Sequence, residues 1–96
     1  MSMASLPPII EQVRQFITEN YLYMRRDVQL HEDDALLARG IIDSMGVMEI
    51  VAFLEEEFGV TVADTDITEE NLGSLGAIAR YVTAKQSAGR ALSRPA

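Results

Sequence analysis

One serine hydroxyl lies where a loop is expected to become a helix. Ser44 follows the loop segment Gly40-Ile41-Ile42-Asp43 and precedes a helical pattern from Val47 to Phe58. The first N–H groups of a helix lack internal partners and carry the positive end of its dipole, so an anionic group attached there is stabilised. The hydroxyl therefore suits a phosphodiester linkage. A purely structural role stays open, because Asp43 and Ser44 also make a good helix-capping pair.

A serine hydrolase is not predicted. Such a site would need a base beside Ser44 and a Gly-x-Ser-x-Gly elbow, which Ile42 breaks. His31 is the single histidine, and its acidic loop favours a solvated side chain over a catalytic base. We expect no catalytic residue.

A metal site is not predicted either. The run from Asp64 to Glu70 resembles the start of an EF-hand loop, but its sixth position is Glu69 instead of glycine. Its twelfth position is Leu75 instead of glutamate. The calcium interpretation therefore fails, and the chain has no cysteine with which to build a thiolate site.

The chain is short enough for one domain. Its 96 residues are 48% hydrophobic, and without disulfides the core must come from helix packing. The segment from Met1 to Pro8 lacks a basic and apolar leader pattern, and no run approaches the roughly 20 apolar residues that span a bilayer. We expect a cytoplasmic monomer without a membrane span.

Acidic residues are concentrated in the middle of the chain. The net charge is −7, and the stretch from Asp27 to Asn71 contains thirteen carboxylates with Arg39 as its one cation. Such a surface repels nucleic acid and anionic membranes, and it steers encounters with basic protein surfaces. The charge distribution therefore favours a protein partner over nucleic acid.

Helical patterns account for the first part of the chain. Pro7-Pro8 suits a helix entry, and six apolar residues then recur at helical spacing. They are Ile9, Ile10, Val13, Phe16, Ile17 and Tyr21. From about Tyr23 to Gly40 the period is lost, which predicts a long loop anchored by Leu30, Leu36 and Leu37.

The second predicted helix has two different faces. The stripe expected to face the core consists of Val47, Ile50, Val51, Leu54 and Phe58. The opposite face carries Met45, Glu49, Ala52 and Glu56, flanked by Met48 and Glu55. Exposed methionines among carboxylates suit a surface that repacks against several partners. In the alternative, Met45 tucks into the loop and Met48 is only half exposed.

Two further helices are predicted near the end of the chain. Gly59 should end the second helix, and residues 60–62 should form an extended connector, because a strand this short has no pairing partner. Thr68 is expected to cap a short third helix and Ser74 a fourth. The core face of the fourth comprises Leu75, Ile78, Ala79 and Val82. The predicted fold is an all-α four-helix bundle.

The Asp43-Ser44-Met45 triplet, the glycine-led loop before it and the acidic helix ending in Glu55-Glu56-Glu57-Phe58-Gly59 resemble the acyl carrier protein family. The resemblance covers roughly residues 9–84. It implies an acyl-carrier bundle, with residues 7–85 as the carrier domain. A flexible N-terminus (1–6) and a disordered C-terminal tail (86–96) would flank that domain.

The resemblance implies that Ser44 carries 4'-phosphopantetheine, a covalent arm whose terminal thiol holds an acyl group as a thioester. The partner-binding residues implied are Asp43, Met45, Met48, Glu49, Ala52, Glu55 and Glu56. The implied partners are a phosphopantetheinyl transferase, an adenylating acyl or aminoacyl ligase, and acyltransferases or condensing enzymes. The chain itself would catalyse nothing.

The cargo is less well indicated than the arm. Housekeeping fatty-acid carriers usually have leucine after the serine, followed by an acidic or polar residue, whereas here Met45-Gly46 follows Ser44. This departure looks more like freestanding carriers loaded by an adenylating ligase, including aminoacyl, D-alanyl and peptidyl carriers. An alternative of another class is an unmodified acidic helical adaptor that binds a basic protein.

Overall fold

The computed structural model describes residues 8–25 and 27–93. Within these residues the regular secondary structure is helical, and no strand is present. The helices are α1 (Ile9–Tyr21), α2 (Ser44–Phe58), α3 (Glu69–Leu72) and α4 (Leu75–Ser93), with a 3₁₀ turn at Asp64–Asp66. The prediction of an all-α bundle with a long loop after the first helix and a short third helix is confirmed.

The apolar stripe of α1 faces the core as predicted. Val13 and Ile17 are fully buried, and α1 packs chiefly against α4. Pro8 precedes the first turn, and its carbonyl accepts hydrogen bonds from the N–H groups of Glu11 and Gln12, at 3.0 and 3.1 Å. A proline suits this place because its fixed φ matches the helix entry.

The loop from residue 22 to residue 43 is long but pinned at several points. Leu30 and Leu36 are buried as predicted, and the Leu36 N–H donates to the Gly73 carbonyl at 2.9 Å. The prediction that Leu37 is a third anchor was wrong, because its side chain is 47% exposed. In the tight turn that follows Leu36, only one of two adjacent leucines points inward; Ile41 supplies another buried side chain instead.

The predicted core stripe of α2 is largely correct. Ile50, Val51 and Leu54 are buried, while Val47 and Phe58 are partly buried against the core. Phe53 also packs there, although the helical wheel did not place it in the stripe. Its ring stacks on Phe16 of α1 with centroids 4.2 Å apart.

The end of α2 and the connector follow the predicted pattern. Gly59 ends the helix in the left-handed region, at φ 67°, which glycine adopts without the steric cost of a side chain. Val60 and Val62 are buried, and the exposed Thr61 lies between them. The Val62 N–H donates to the Glu55 carboxylate at 3.0 Å instead of joining a sheet.

Side-chain caps start the last two helices as predicted. The Thr68 hydroxyl accepts from the Asn71 N–H at 3.2 Å, and the Ser74 hydroxyl accepts from the Ala77 N–H at 3.2 Å. Leu75, Ile78 and Val82 of α4 are fully buried, so this helix closes the core.

The structure differs from the expected tail. Helix α4 continues past Lys85 to Ser93, so residues 86–93 are helical where disorder was expected. Alanine, glutamine and arginine in this segment are strong helix formers, and the segment adds to an already nucleated helix. Residues 94–96 and the expected flexible N-terminus, 1–6, lie outside the described residues.

Candidate functional site

The first turn of α2 is capped by Asp43 alone. The Asp43 carboxylate accepts a hydrogen bond from the Gly46 N–H at 2.9 Å, and its carbonyl accepts from the Val47 N–H at 3.2 Å. Ser44 is the first helical residue instead of the cap. From the sequence, both Asp43 and Ser44 were candidate caps. In the structure only Asp43 caps the helix, and Ser44 does not.

The Ser44 hydroxyl is accessible. Its side chain is exposed, and no hydrogen bond to it is found in the described part of the chain. Because the aspartate satisfies the helix end, the serine oxygen does not contribute to the cap. The hydroxyl can thus be modified without breaking an interaction that holds the fold.

Gly46 lets the first turn of α2 approach its neighbours closely. A Cβ atom at this buried position would lie 3.0 Å from the Ile42 Cβ atom and 3.4 Å from the Tyr21 ring. The contact with Ile42 is tight enough that this neighbour would have to move by a few tenths of an ångström. At sequence level, Gly46 stood out as a departure from housekeeping carriers, and the structure gives it a packing role.

Tyr21 joins the end of α1 to α2. Its hydroxyl donates to the Glu49 carboxylate, which lies 28 positions further along the chain. Burial, followed by this hydrogen bond and the negative charges of Glu49 and Asp43, raises the pKa of the Tyr21 hydroxyl well above its usual value. The phenol therefore stays protonated and remains a donor at neutral pH.

The face of α2 that carries the predicted partner-binding residues points outward. Met45 is 72% exposed and Met48 is 52% exposed, and Ala52 and Glu56 are exposed beside them. The alternative in which Met45 tucks into the loop is wrong. Half exposure of Met48, the other part of that alternative, agrees with the structure.

Two carboxylates of that face have partners inside the molecule. Glu49 accepts from Tyr21, and Glu55 accepts from the Val62 N–H. Asp43 is the helix cap. Of the predicted acidic partner-binding residues, Glu56 is the one without an internal hydrogen bond in the described residues.

Ser44 also borders a groove of about 380 Å³ between α2 and α3. The groove is lined mainly by apolar side chains, with polar groups from Thr68 and Glu69 at α3. The lining residues are Leu37, Ser44, Val47, Met48, Ile67, Thr68, Glu69, Leu72 and Gly73. Ile67 has no local sequence signal for this position, because the fold brings it to Ser44 from a segment far along the chain, and Leu37 was expected in the core instead.

A second cavity, of about 570 Å³, lies on the loop side of Ser44. Its lining residues are Tyr21, Arg25, Leu37, Gly40, Ile41, Ile42, Asp43 and Ser44. Arg25 is its one cationic side chain, and the guanidinium donates to the Gly40 carbonyl at 3.4 Å. Arg25 has no sequence signal for this position, because it precedes the acidic segment and has no helical spacing to Ser44.

Other chemistries find little support in this arrangement. His31 lines neither cavity beside Ser44, and its backbone N–H donates to the Asp34 carboxylate at 2.9 Å. Asp66, from the segment that resembles a calcium loop, accepts a hydrogen bond from the Tyr81 hydroxyl at 2.7 Å. In the described residues no three metal-binding side chains form a cluster.

Comparison with known families identifies the class of protein. The model of the family described as phosphopantetheine attachment site matches residues 22–82, and the chain belongs to this family. This confirms the resemblance to acyl carrier proteins. Proteins of the family bind 4'-phosphopantetheine covalently on a serine, and their domains are non-catalytic carriers. No curated protein matches the chain significantly.

The residues at the start of α2 fit such an arm. The Ser44 hydroxyl is exposed and unengaged, the helix start favours an attached anion, and cavities on both sides leave room for a chain. No helix in the described residues is both long and apolar enough to cross a membrane.

Proposed function

We propose that this carrier bears its phosphopantetheine arm on Ser44 and presents an acyl group to partner enzymes in turn. The observation that carries the proposal is the exposed Ser44 hydroxyl at the first helical position of α2, relieved of capping by Asp43. The family match, which covers residues 22–82, includes this position. The arm supplies a thiol, which holds the acyl group as a thioester.

The surrounding residues position the serine and do not react. Asp43 caps the helix, and Gly46 allows the first turn to lie against Ile42 and Tyr21. Together these contacts direct Ser44 toward solvent, where a transferase can move the phosphopantetheine part of coenzyme A onto its oxygen. The apolar groove beside Ser44 offers the acyl group a surface that partly excludes water. The chain performs no catalysis itself.

The partner-binding surface is the outward face of α2. Met45, Met48 and Ala52 supply its apolar contacts, and Glu56 supplies an unengaged negative charge. The partners are the transferase, an adenylating acyl or aminoacyl ligase, and acyltransferases or condensing enzymes. A basic patch on each would complement the acidic middle of the chain.

The pathway is proposed to be a specialised one, loaded by an adenylating ligase. Met45 and Gly46 after the serine support this, since housekeeping fatty-acid carriers usually have leucine followed by a polar residue. Aminoacyl, D-alanyl or peptidyl cargo on the same arm is the alternative. Efficient acceptance of long acyl chains from fatty-acid-synthesis enzymes would argue against a specialised pathway.

Intact-mass measurement tests the attachment site. The wild-type chain, incubated with coenzyme A and a broad-specificity phosphopantetheinyl transferase, should gain the mass of one arm. A Ser44→Ala variant should gain none and should unfold within about 0.5 kcal/mol of the wild type, because the hydroxyl makes no hydrogen bond.

A Ser87→Ala variant is the matched control, since Ser87 is another exposed helical serine. It should gain the arm normally. If the folded wild-type chain stays unmodified, the proposal fails and the unmodified acidic adaptor becomes the better description. An arm on the Ser44→Ala variant would place the attachment elsewhere.

A further inference from the structure

Among the described residues, Arg25 is a cation without a carboxylate partner, and it differs from the other such cations in its place beside Ser44. Arg39 pairs with Asp34 at 2.7 Å, and Arg14 pairs with Glu11 at 3.1 Å. Arg25 has no carboxylate within ion-pair distance in the described residues, and its guanidinium donates instead to the neutral Gly40 carbonyl at 3.4 Å. Its positive charge is therefore not neutralised by a protein anion.

Arg25 also lies close to the proposed attachment residue. It lines the same cavity as Ser44, together with Asp43. A phosphodiester on Ser44 would carry a negative charge one residue from the Asp43 carboxylate, and like charges at short range repel. A cation that lines the same cavity offsets that repulsion, and a guanidinium can donate two parallel hydrogen bonds to phosphate oxygens.

We propose that Arg25 binds the phosphodiester of the arm on Ser44 and so holds the first part of the arm against the loop that precedes α2. The inference rests on the proposed function, because it requires the arm to be on Ser44. The pair would limit the directions in which the arm leaves the helix start and would direct it along the surface toward a partner.

NMR of the arginine side chain tests the contact without any partner enzyme. We expect attachment of the arm to shift the Arg25 Nε–H signal. Exchange of that hydrogen with water should slow by about twofold to fivefold, the factor that corresponds to the stronger exposed ion pairs. High salt should reduce the effect, because exposed charges are screened. The ³¹P signal of the arm should move in an Arg25→Gln variant.

Two variants separate the contact from a general loss of charge. Arg25→Lys keeps the positive charge and should retain part of the ³¹P shift. Arg80→Gln removes an exposed cation on α4, a helix that lines neither cavity, and should leave the ³¹P signal where it is in the wild type. Backbone ¹⁵N spectra of each variant verify that the fold is intact.

Free coenzyme A carries the same phosphate chemistry, so apo protein is titrated with it as well. A response of Arg25 to attachment that exceeds its response to equimolar coenzyme A supports the inference. An equal or greater response to free coenzyme A overturns it, as does an unchanged Arg25 signal after attachment, and in both cases the carrier function still stands. A folded wild-type chain that takes up no arm overturns both proposals.

Discussion

Asp43 and Ser44 are adjacent in the chain but have separate tasks. The aspartate uses its carboxylate to bind the Gly46 N–H, whereas the serine hydroxyl faces solvent. Modification of the hydroxyl therefore leaves the start of α2 intact. Around this pair, Tyr21 and Gly46 hold the first turn in place, and each can be tested by a single substitution.

Tyr21→Phe should destabilise the fold by about 0.5 to 1.5 kcal/mol. The change removes the hydrogen bond to the exposed Glu49 carboxylate, which links α1 to α2, and hydrogen bonds to charged groups contribute somewhat more than neutral ones. Urea denaturation measures the difference. Tyr23→Phe is the matched control, since Tyr23 is an exposed tyrosine in the following loop and should change stability by less than about 0.5 kcal/mol. Equal effects of the two variants would rule out a stabilising Tyr21–Glu49 bond.

Gly46→Ala should also lower stability, by about 1 kcal/mol. Alanine gains up to about 1 kcal/mol in a helix relative to glycine, but its Cβ atom would press on the Ile42 Cβ atom at 3.0 Å. Overpacking of this kind costs about 1 to 3 kcal/mol and outweighs the gain. Chemical denaturation shows whether the free energy of unfolding falls or rises in the variant.

The exposed Ala52 provides the helix-propensity reference within the same helix. Ala52→Gly should cost about 1 kcal/mol through propensity alone. If Gly46→Ala instead raised stability by a similar amount, the close contact between the first turn and Ile42 would not destabilise the alanine variant.

At the scale of elements, the long loop is positioned by the corner between α3 and α4. The Leu36 N–H donates to the Gly73 carbonyl, and the Gly76 N–H donates to the Glu32 carbonyl, both at 2.9 Å. Within the loop, Asp34 accepts from the His31 N–H and pairs with Arg39. These bonds place Leu37 beside Ser44 and so help to form the groove.

The Asp34 contacts predict a pH-dependent contribution to stability. The hydrogen bond from the His31 N–H, opposed by burial and assisted by Arg39, lowers the pKa of the Asp34 carboxyl. A lowered native pKa stabilises the fold above the unfolded value of about 3.9, and the contribution is lost as pH falls through the native pKa. Asp34→Asn should therefore be less stable than wild type at pH 7.

The difference between Asp34→Asn and wild type should shrink as pH falls below about 4. Urea denaturation at a series of pH values measures it. Asp33→Asn, a change at the adjacent exposed aspartate, should alter stability little at any of them. A difference for Asp34→Asn that stayed constant with pH would assign the effect to something other than ionisation of this carboxyl.

At the scale of the whole molecule, charge and exposed apolar surface lie together. The acidic segment from Asp27 to Asn71 includes all of α2, whose outward face also presents Met45 and Met48. Charge of one sign raises the rate of encounter with a basic partner, and flexible methionines adapt to its surface. Because Glu49 and Glu55 have internal partners, Glu56 is the cleanest site at which to test this.

Glu56→Lys should slow arm transfer mainly through the association rate, with a smaller defect at high salt. Transferase kinetics at low and high ionic strength measure this. Glu57→Lys makes the same charge change one residue later, about 100° around the helix, and should have a smaller effect. Equal defects in the two variants would point to net charge instead of the outward face.

Helix caps, helix ends and buried helix faces were predicted correctly from residues that are close together in the chain. Thr68 and Ser74 cap their helices and Gly59 ends α2 because these are local backbone requirements. Helical spacing likewise predicted the buried face of α1 and most of that of α2, since periodicity determines which residues share a face. Ser44 was predicted as the attachment residue from its place at a helix start together with the resemblance to acyl carrier proteins.

The contacts around Ser44 could be found only in the tertiary structure, because they depend on how separate segments pack together. Tyr21 meets Glu49, and Leu37 turns away from the core to line the groove beside Ser44. Arg25 enters the cavity on the other side of that serine. None of these contacts follows from a local sequence pattern, because each depends on how the loop and the helices pack together.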